Sequence, residues 1–170
     1  MATFEAAIAH LLKLEGGAVD HAADRGGATN YGLSARRYPD ADLATLTRAD
    51  AEAIYRRDYW HPLYERLEQP LADKLLELTV HLPHDTQRPY WQGRLAGVEM
   101  VQRACRSLGD REVVCDGRFG PQTLQAVRLS RTEALLAAIR VEQCRYYLAL
   151  ADKDESQRAF LRGWIRRAVA

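Results

Sequence analysis

The spacing of apolar positions along the chain predicts helices almost throughout. Phe4, Ile8, Leu11 and Leu12 fall on one face at i, i+4, i+7 and i+8, which predicts an amphipathic helix over residues 3–14. Leu33–Tyr38 reads as a short helix stopped at Pro39. Thr47-Arg48-Ala49-Asp50 is a capping box in its acidic form, so a helix should start near Arg48 and run to Tyr59-Trp60 before Pro62. Pro70 suits the first helical turn, and Leu71, Leu75, Leu78 and Leu82 form a strongly apolar stripe suited to the core. Residues 86–92 read as a connecting loop. Beyond them, Gly109 caps a helix, Asp116-Gly117 makes a tight turn, Phe119 plugs the joint, and Pro121 starts another helix with Thr123 in its first turn. Glu133–Leu150 and Gln157–Val169 complete the pattern. No segment is rich in strand signals; a short hairpin across residues 17–33 is the one exception expected. The expectation is an all-α protein of seven or eight helices. It divides into a lobe over 1–88 and a helical lobe over 89–170, packed as one compact unit.

Composition narrows the function classes. The 170 residues are enough for a substantial core, and 47% hydrophobic with 28% charged residues is ordinary for a globular chain. A net charge of +1, from 24 basic and 23 acidic residues, gives no electrostatic case for nucleic acid as a partner. Arg158, Arg162, Arg166 and Arg167 make only the last helix basic. No apolar run approaches the ~18 residues of a membrane span. The start, M-A-T-F-E-A-A-I-A-H, has no export-signal pattern, so synthesis in the cytoplasm without a cleavable signal peptide is expected. Cys105, Cys115 and Cys144 are an odd set without C-x-x-C and read as two buried thiols and a spare, with a Cys105–Cys115 bridge as the alternative. His81, His84 and Asp85 give H-x-x-H-D, but Pro83 spoils helical presentation and no fourth ligand is near. Neither a metal nor a cofactor is expected. Arg140 and Arg145 read as a solvated face, with pairing to Glu142 or Asp152 as the alternative.

The stretch with chemistry in it is Leu14–Gly32. Glu15 comes at the end of the first helix, and Gly16-Gly17 breaks that helix. Asp20, Asp24, Gly26-Gly27, Thr29, Asn30 and Tyr31 follow. A carboxyl at the end of a packed helix, with a polar loop able to fold over it, suits a glycosidase. That reaction needs one protonated acid and a second group to orient water or steady positive charge. Taken alone, the same residues also read as a glycine C-cap and a solvated turn. Tyr55, Tyr59, Trp60 and Tyr64 form an aromatic stripe. Its default is core packing, with Tyr59 and Trp60 bordering a saccharide groove as the second reading.

The string E-G-G-A-V-D…D-R-G-G-A-T-N-Y-G-L-S closely resembles the opening of glycoside hydrolase family 108, lysozyme-like N-acetylmuramidases that typically read E-G-G-Y-x-(N/D)…D-P-G-G-x-T-N-x-G-I. Ala18 and Arg25 are small departures. I-Y-R-R-D-Y-W, residues 54–60, matches the family's I-Y-x-x-x-Y-W, and F-L-R-G-W-I-R-R matches its closing segment. The family's usual F-D-x-x-V-N-x-G is altered here, with Thr79 at the aspartate position. V-C-D-G-R-F-G-P-Q-T resembles a small peptidoglycan-binding repeat. The resemblance implies a lysozyme-like fold and hydrolysis of the β-1,4 bond between N-acetylmuramic acid and N-acetylglucosamine. It makes Glu15 the general acid and puts Asp24 and Thr29 as assisting groups. Asp20, Asn30, Tyr31, Tyr59 and Trp60 become candidate substrate contacts. It also implies peptidoglycan glycan strands as partner, a monomer, no membrane insertion, and action in the periplasm or cell wall after release by a holin or secretion machinery. A lytic transglycosylase, a non-catalytic wall-binding protein and a phage-particle component are the alternatives.

Overall fold

Helix α3, Gln69–His81, is the element that the others surround, and the computed structural model describes it within residues 1–14, 29–35, 37–83 and 89–169. Pro70 sits in its first turn, where the missing N–H costs nothing. Leu71, Leu75, Leu76, Leu78 and Val80 are buried, and so are the polar Lys74, Glu77 and Thr79. A helix covered on every side needs neighbours on every side. Here they are α1 (Phe4–Leu14), α4 (Ala96–Ser107) and α6 (Thr132–Lys153), all packed against it. The described residues hold five further α-helical or strand elements. These are α2 (Arg48–Asp58), α5 (Pro121–Leu129), α7 (Arg158–Val169) and a hairpin of β1 (Thr29–Asn30) with β2 (Leu33–Ser34). Short 3-10 turns lie at Pro62–Arg66, Tyr90–Gln92 and Glu155–Gln157. The architecture is all-α, as the periodicity predicts, and lysozyme-like, as the resemblance implies.

Two core contacts set the geometry. Lys74 Nζ lies 2.6 Å from Glu77 Oε2, one turn along α3 and both buried, and Gln143 of α6 donates to Glu77 Oε1 at 3.4 Å. Each charge would be costly here without its partner. Gly97 lets α4 cross α3 closely: a Cβ there would come 2.6 Å from Leu78 Cβ and 3.1 Å from its carbonyl carbon. Further out, Arg94, Glu99, Arg103, Glu142 and Arg145 form a chain of ion pairs of 2.6–2.9 Å that ties α4 to α6. Arg145 meets both readings: its side chain stays 70% exposed, and it pairs with the nearly buried Glu142, to which α4 also delivers Arg103. Helix α7 lies on α6 through Trp164, stacked on Tyr147 with ring centroids 5.2 Å apart, and Arg167 meets His81 Nε2.

The D-G-R-F-G-P-Q-T loop is built around a residue with no local signature. Gln102 is fully buried in α4. Its Oε1 accepts from Gly117 N at 2.8 Å, and its Nε2 donates to Asp116 Oδ1 (2.8 Å), Thr123 Oγ1 (2.9 Å) and the Arg118 carbonyl (3.1 Å). Gly117 has φ 73°, and a Cβ there would lie 2.7 Å from Arg94 Cγ. Phe119 then inserts between the halves, edge-on to Tyr64 at 5.0 Å and 5.5 Å from His61, which in turn meets Trp91 at 5.2 Å. One hydrophobic core therefore runs from Phe4 to Ala168.

Several expectations change. Leu33–Tyr38 is not a helix: Leu33 and Ser34 pair back onto Asn30 and Thr29, and the chain then turns. The described hairpin occupies 29–34, and residues 17–28 of the expected 17–33 hairpin lie outside the described residues. Helix α2 ends at Asp58, one residue short of Tyr59. All three cysteines are free, and only Cys105 is buried; Cys115 and Cys144 are half-buried.

Gly97→Ala should lower stability by about 1–3 kcal/mol, since backbone cannot yield as a flexible side chain would. Urea unfolding measures it, and an unchanged midpoint would mean that α3 and α4 part without cost. Burial holds His61 down at about 4, against 6.5 for the ordinary group. Between those values the unfolded chain binds a proton that the folded chain does not. Acidification from pH 6.5 to pH 4 should therefore remove up to about 3 kcal/mol that is fully present above pH 6.5. His61→Asn, keeping an acceptor for Leu63 N–H, should flatten that part of a stability–pH profile; an equally steep profile would assign the loss elsewhere.

Candidate active site

The first helix is fixed by its beginning. Thr3 N donates to Gln69 Oε1 at 2.8 Å, and Gln69 Nε2 donates back to the Thr3 carbonyl at 3.2 Å, so α1 and α3 start side by side. Glu5 pairs with Arg56, whose guanidinium lies 4.4 Å from the centroid of the Phe4 ring. Phe4 meets Trp60 edge-on at 5.5 Å. Two helices that start together and pack along their length reach the same end of the molecule. Leu14 and Val80 each lie 11 positions beyond the tied pair Thr3 and Gln69. Glu15, Asp20 and Asp24 follow Leu14 and lie outside the described residues.

The hairpin comes next in the chain. Thr29 pairs with Ser34 and Asn30 with Leu33, leaving Tyr31-Gly32 as a two-residue turn with φ 50° and 77°. Positive φ at both positions is the type I′ geometry that matches the twist of a hairpin. Glycine accepts it freely, whereas Tyr31 must be held in it. Its carbonyl accepts from the Tyr55 hydroxyl at 3.0 Å, and the Tyr55 ring is fully buried. Asn30 is spent on scaffolding: Nδ2 donates to the carbonyls of Leu43 (2.9 Å) and Leu46 (3.4 Å), strapping the following loop beneath the hairpin.

A cation closes this end. Arg37 Nη1 donates to the Tyr59 hydroxyl and to the Val80 carbonyl, both at 3.2 Å, and its guanidinium lies 5.8 Å from the Tyr90 ring centroid. A positive charge at the last turn of α3 also meets the negative end of the helix dipole. One residue on, the buried Tyr38 hydroxyl donates to Asp58 Oδ2 at 2.9 Å, and Arg57 neutralises Asp58 through two bonds of 2.7 and 2.8 Å. Burial, with Tyr59 and Asp58 adding to it, raises Tyr38 far above the usual phenol range and keeps it a donor.

Among the sequence candidates, Asn30 and Tyr31 thus stand in the hairpin, and Thr29 starts β1. Tyr59 and Trp60 are 1% and 4% exposed and border no groove among the described residues, because the end of α2 turns inward onto Phe4, Tyr64 and Tyr90. Thr79 is buried as well, donating to the Leu75 carbonyl at 2.8 Å and lying 3.3 Å from the Tyr64 hydroxyl. The roles of Arg37, Tyr38 and Asp58 had no signal in the sequence, since each bonds partners distant along the chain. Arg37→Gln should cost about 1–2 kcal/mol through the lost bonds to Tyr59 and Val80, read from the urea midpoint. A midpoint equal to wild type would make Arg37 a surface ornament.

Residues 8–82 match the family described as "Glycosyl hydrolase 108", and residues 96–169 match the "Predicted Peptidoglycan domain". Among solved structures the chain is similar to SagA of Brucella abortus, at 25% identity and a TM-score of 0.64. The match covers 98% of this chain and 93% of that one. No curated protein matches the chain.

Proposed function

We infer that this chain, which joins a glycosyl hydrolase 108 segment to a peptidoglycan domain, cleaves the β-1,4 bond between N-acetylmuramic acid and N-acetylglucosamine with Glu15 as general acid. The coarser activity, a glycoside hydrolase acting on peptidoglycan at the cell wall, is what the two matched segments carry. The finer reading draws its support from one observation: α1 is anchored against α3 from its first turn and ends at Leu14, directly before Glu15. Proton transfer to a leaving oxygen demands a carboxyl held in place, and the helix that precedes Glu15 in the chain is one so anchored.

In this mechanism Glu15 gives its proton to the glycosidic oxygen as the C1–O bond breaks. Asp24 or Thr29 steadies the oxocarbenium-like centre or orients the water that adds at C1, and Asp20 is the other carboxylate within reach in sequence. Asn30 and Tyr31 act through the hairpin, holding its turn and the loop beneath it. Residues 1–88 form the cutting half and 89–170 the half that holds the wall. Delivery to the wall falls to a holin or a secretion machinery, and the working unit is a monomer.

Glu15→Gln tests the assignment on purified sacculi, with turbidity followed and soluble products weighed by mass spectrometry. The expected result is clearing by wild type with reducing-end muramic acid, and a loss of at least about a hundredfold in a folded Glu15→Gln protein. Clearing by the folded variant would sink Glu15 as the acid. Anhydro-muramic ends from wild type would make the enzyme a transglycosylase.

A further inference from the structure

The far end of the α1–α3 pair, where both helices begin, carries a second feature that the catalytic reading leaves unused. Arg66, at the end of the Pro62–Arg66 turn, and Arg128, in the last turn of α5, together line two adjoining cavities of about 330 and 270 Å3. The larger has Pro121, Leu124 and Leu129 along it, with Gln125 beside them, and Leu129 is 76% exposed. The smaller continues past Ser130 and Thr132. Both arginines are exposed, and neither pairs with a carboxylate among the described residues. Glu65 and Glu68 flank Arg66 in sequence, yet neither forms an ion pair with it, although Glu68 stands on the wall of the smaller cavity.

This combination selects a kind of ligand. Two guanidiniums recognise carboxylates in a planar, two-bonded way that a sugar hydroxyl does not exploit. The apolar side chains between them suit small methyl-bearing residues, and an amide beside them can meet a peptide group. Among the described residues no aromatic ring lines either cavity, so none of them offers a flat face to a pyranose. A short peptide with free carboxylates and alanine methyls fits all of these features. In peptidoglycan that description belongs to the stem peptide carried by muramic acid.

We propose that the trough between Arg66 and Arg128 binds the carboxylate-bearing stem peptide of peptidoglycan. The assignment rests on the reading of the wall as substrate, and it puts the peptide grip at the opposite end of α1 from Glu15's neighbour Leu14. An 11-residue helix separates the two, about 16 Å along its axis. The grip and the cut then engage different parts of the polymer. Each exposed arginine contact is weak, and the benefit comes through local concentration of substrate.

The test is calorimetric titration of the full chain with a synthetic stem tetrapeptide, L-Ala–D-iso-Glu–meso-diaminopimelate–D-Ala. Its fully amidated counterpart and chitotetraose serve as controls. Wild type should bind the tetrapeptide in a salt-sensitive manner, with affinity lower by about tenfold or more in folded R66Q/R128Q and for the amidated peptide. No tetrapeptide binding by folded wild type, or equal binding by R66Q/R128Q, would overturn the proposal. Clearing of sacculi is scored separately. If it persists while the peptide fails to bind, the trough assignment alone falls; if the peptide binds through the arginines while clearing is absent, the hydrolase reading falls and the trough stands.

Discussion

A helix that carries Lys74 and Glu77 among its buried leucines must be enclosed by partners that neutralise those charges, and the architecture follows from meeting that demand. The two side chains satisfy each other one turn apart, and Gln143 brings α6 against Glu77. Once α6 is committed to that face, α4 can reach α3 only by a close crossing at Gly97. The ion-pair chain from Arg94 to Arg145 then fixes α4 against α6. The remaining flank of α3 is open to α1. Polar burial and packing thus act in one direction, consistent with the idea that local choices agree with the global fold.

Functional geometry comes from the same core. Because α1 is stitched to α3 at Thr3 and Gln69, rotation or sliding of its far end would break buried contacts along the whole pair. Tyr55 and Arg37 extend that rigidity outward, one by clamping the strained turn at Tyr31 and the other by tying the segment after the hairpin to the end of α3. Aromatic residues that the sequence offers as sugar platforms serve here as internal braces.

The sequence was informative wherever the determining interaction is local. The Thr47/Asp50 box, Pro70 and the leucine stripe of α3 all rest on neighbours within a few residues, and each takes its expected form. It was silent where the partner is distant. Gln102 organises a loop 14–21 positions away, and nothing on its own helix announces that. Leu33–Tyr38 was misread because the turn before it uses a tyrosine with positive φ, which only the remote Tyr55 hydroxyl makes tolerable. The stripe Tyr59–Trp60 left packing and binding open, since periodicity names a face without naming what covers it. For the site itself, Glu15, Asp20 and Asp24 rest on motif and resemblance, and the structure contributes the scaffold on either side of them.

The free thiols carry a consequence for how the fold is held. Cys105 is enclosed by the core, and burial pushes its thiol up to about 11, so it is protonated and inert at neutral pH. Nothing in the described fold is held by a covalent cross-link between chain segments. The described fold is therefore assembled by noncovalent contacts alone, and a thiol reductant finds no cross-link in it to break.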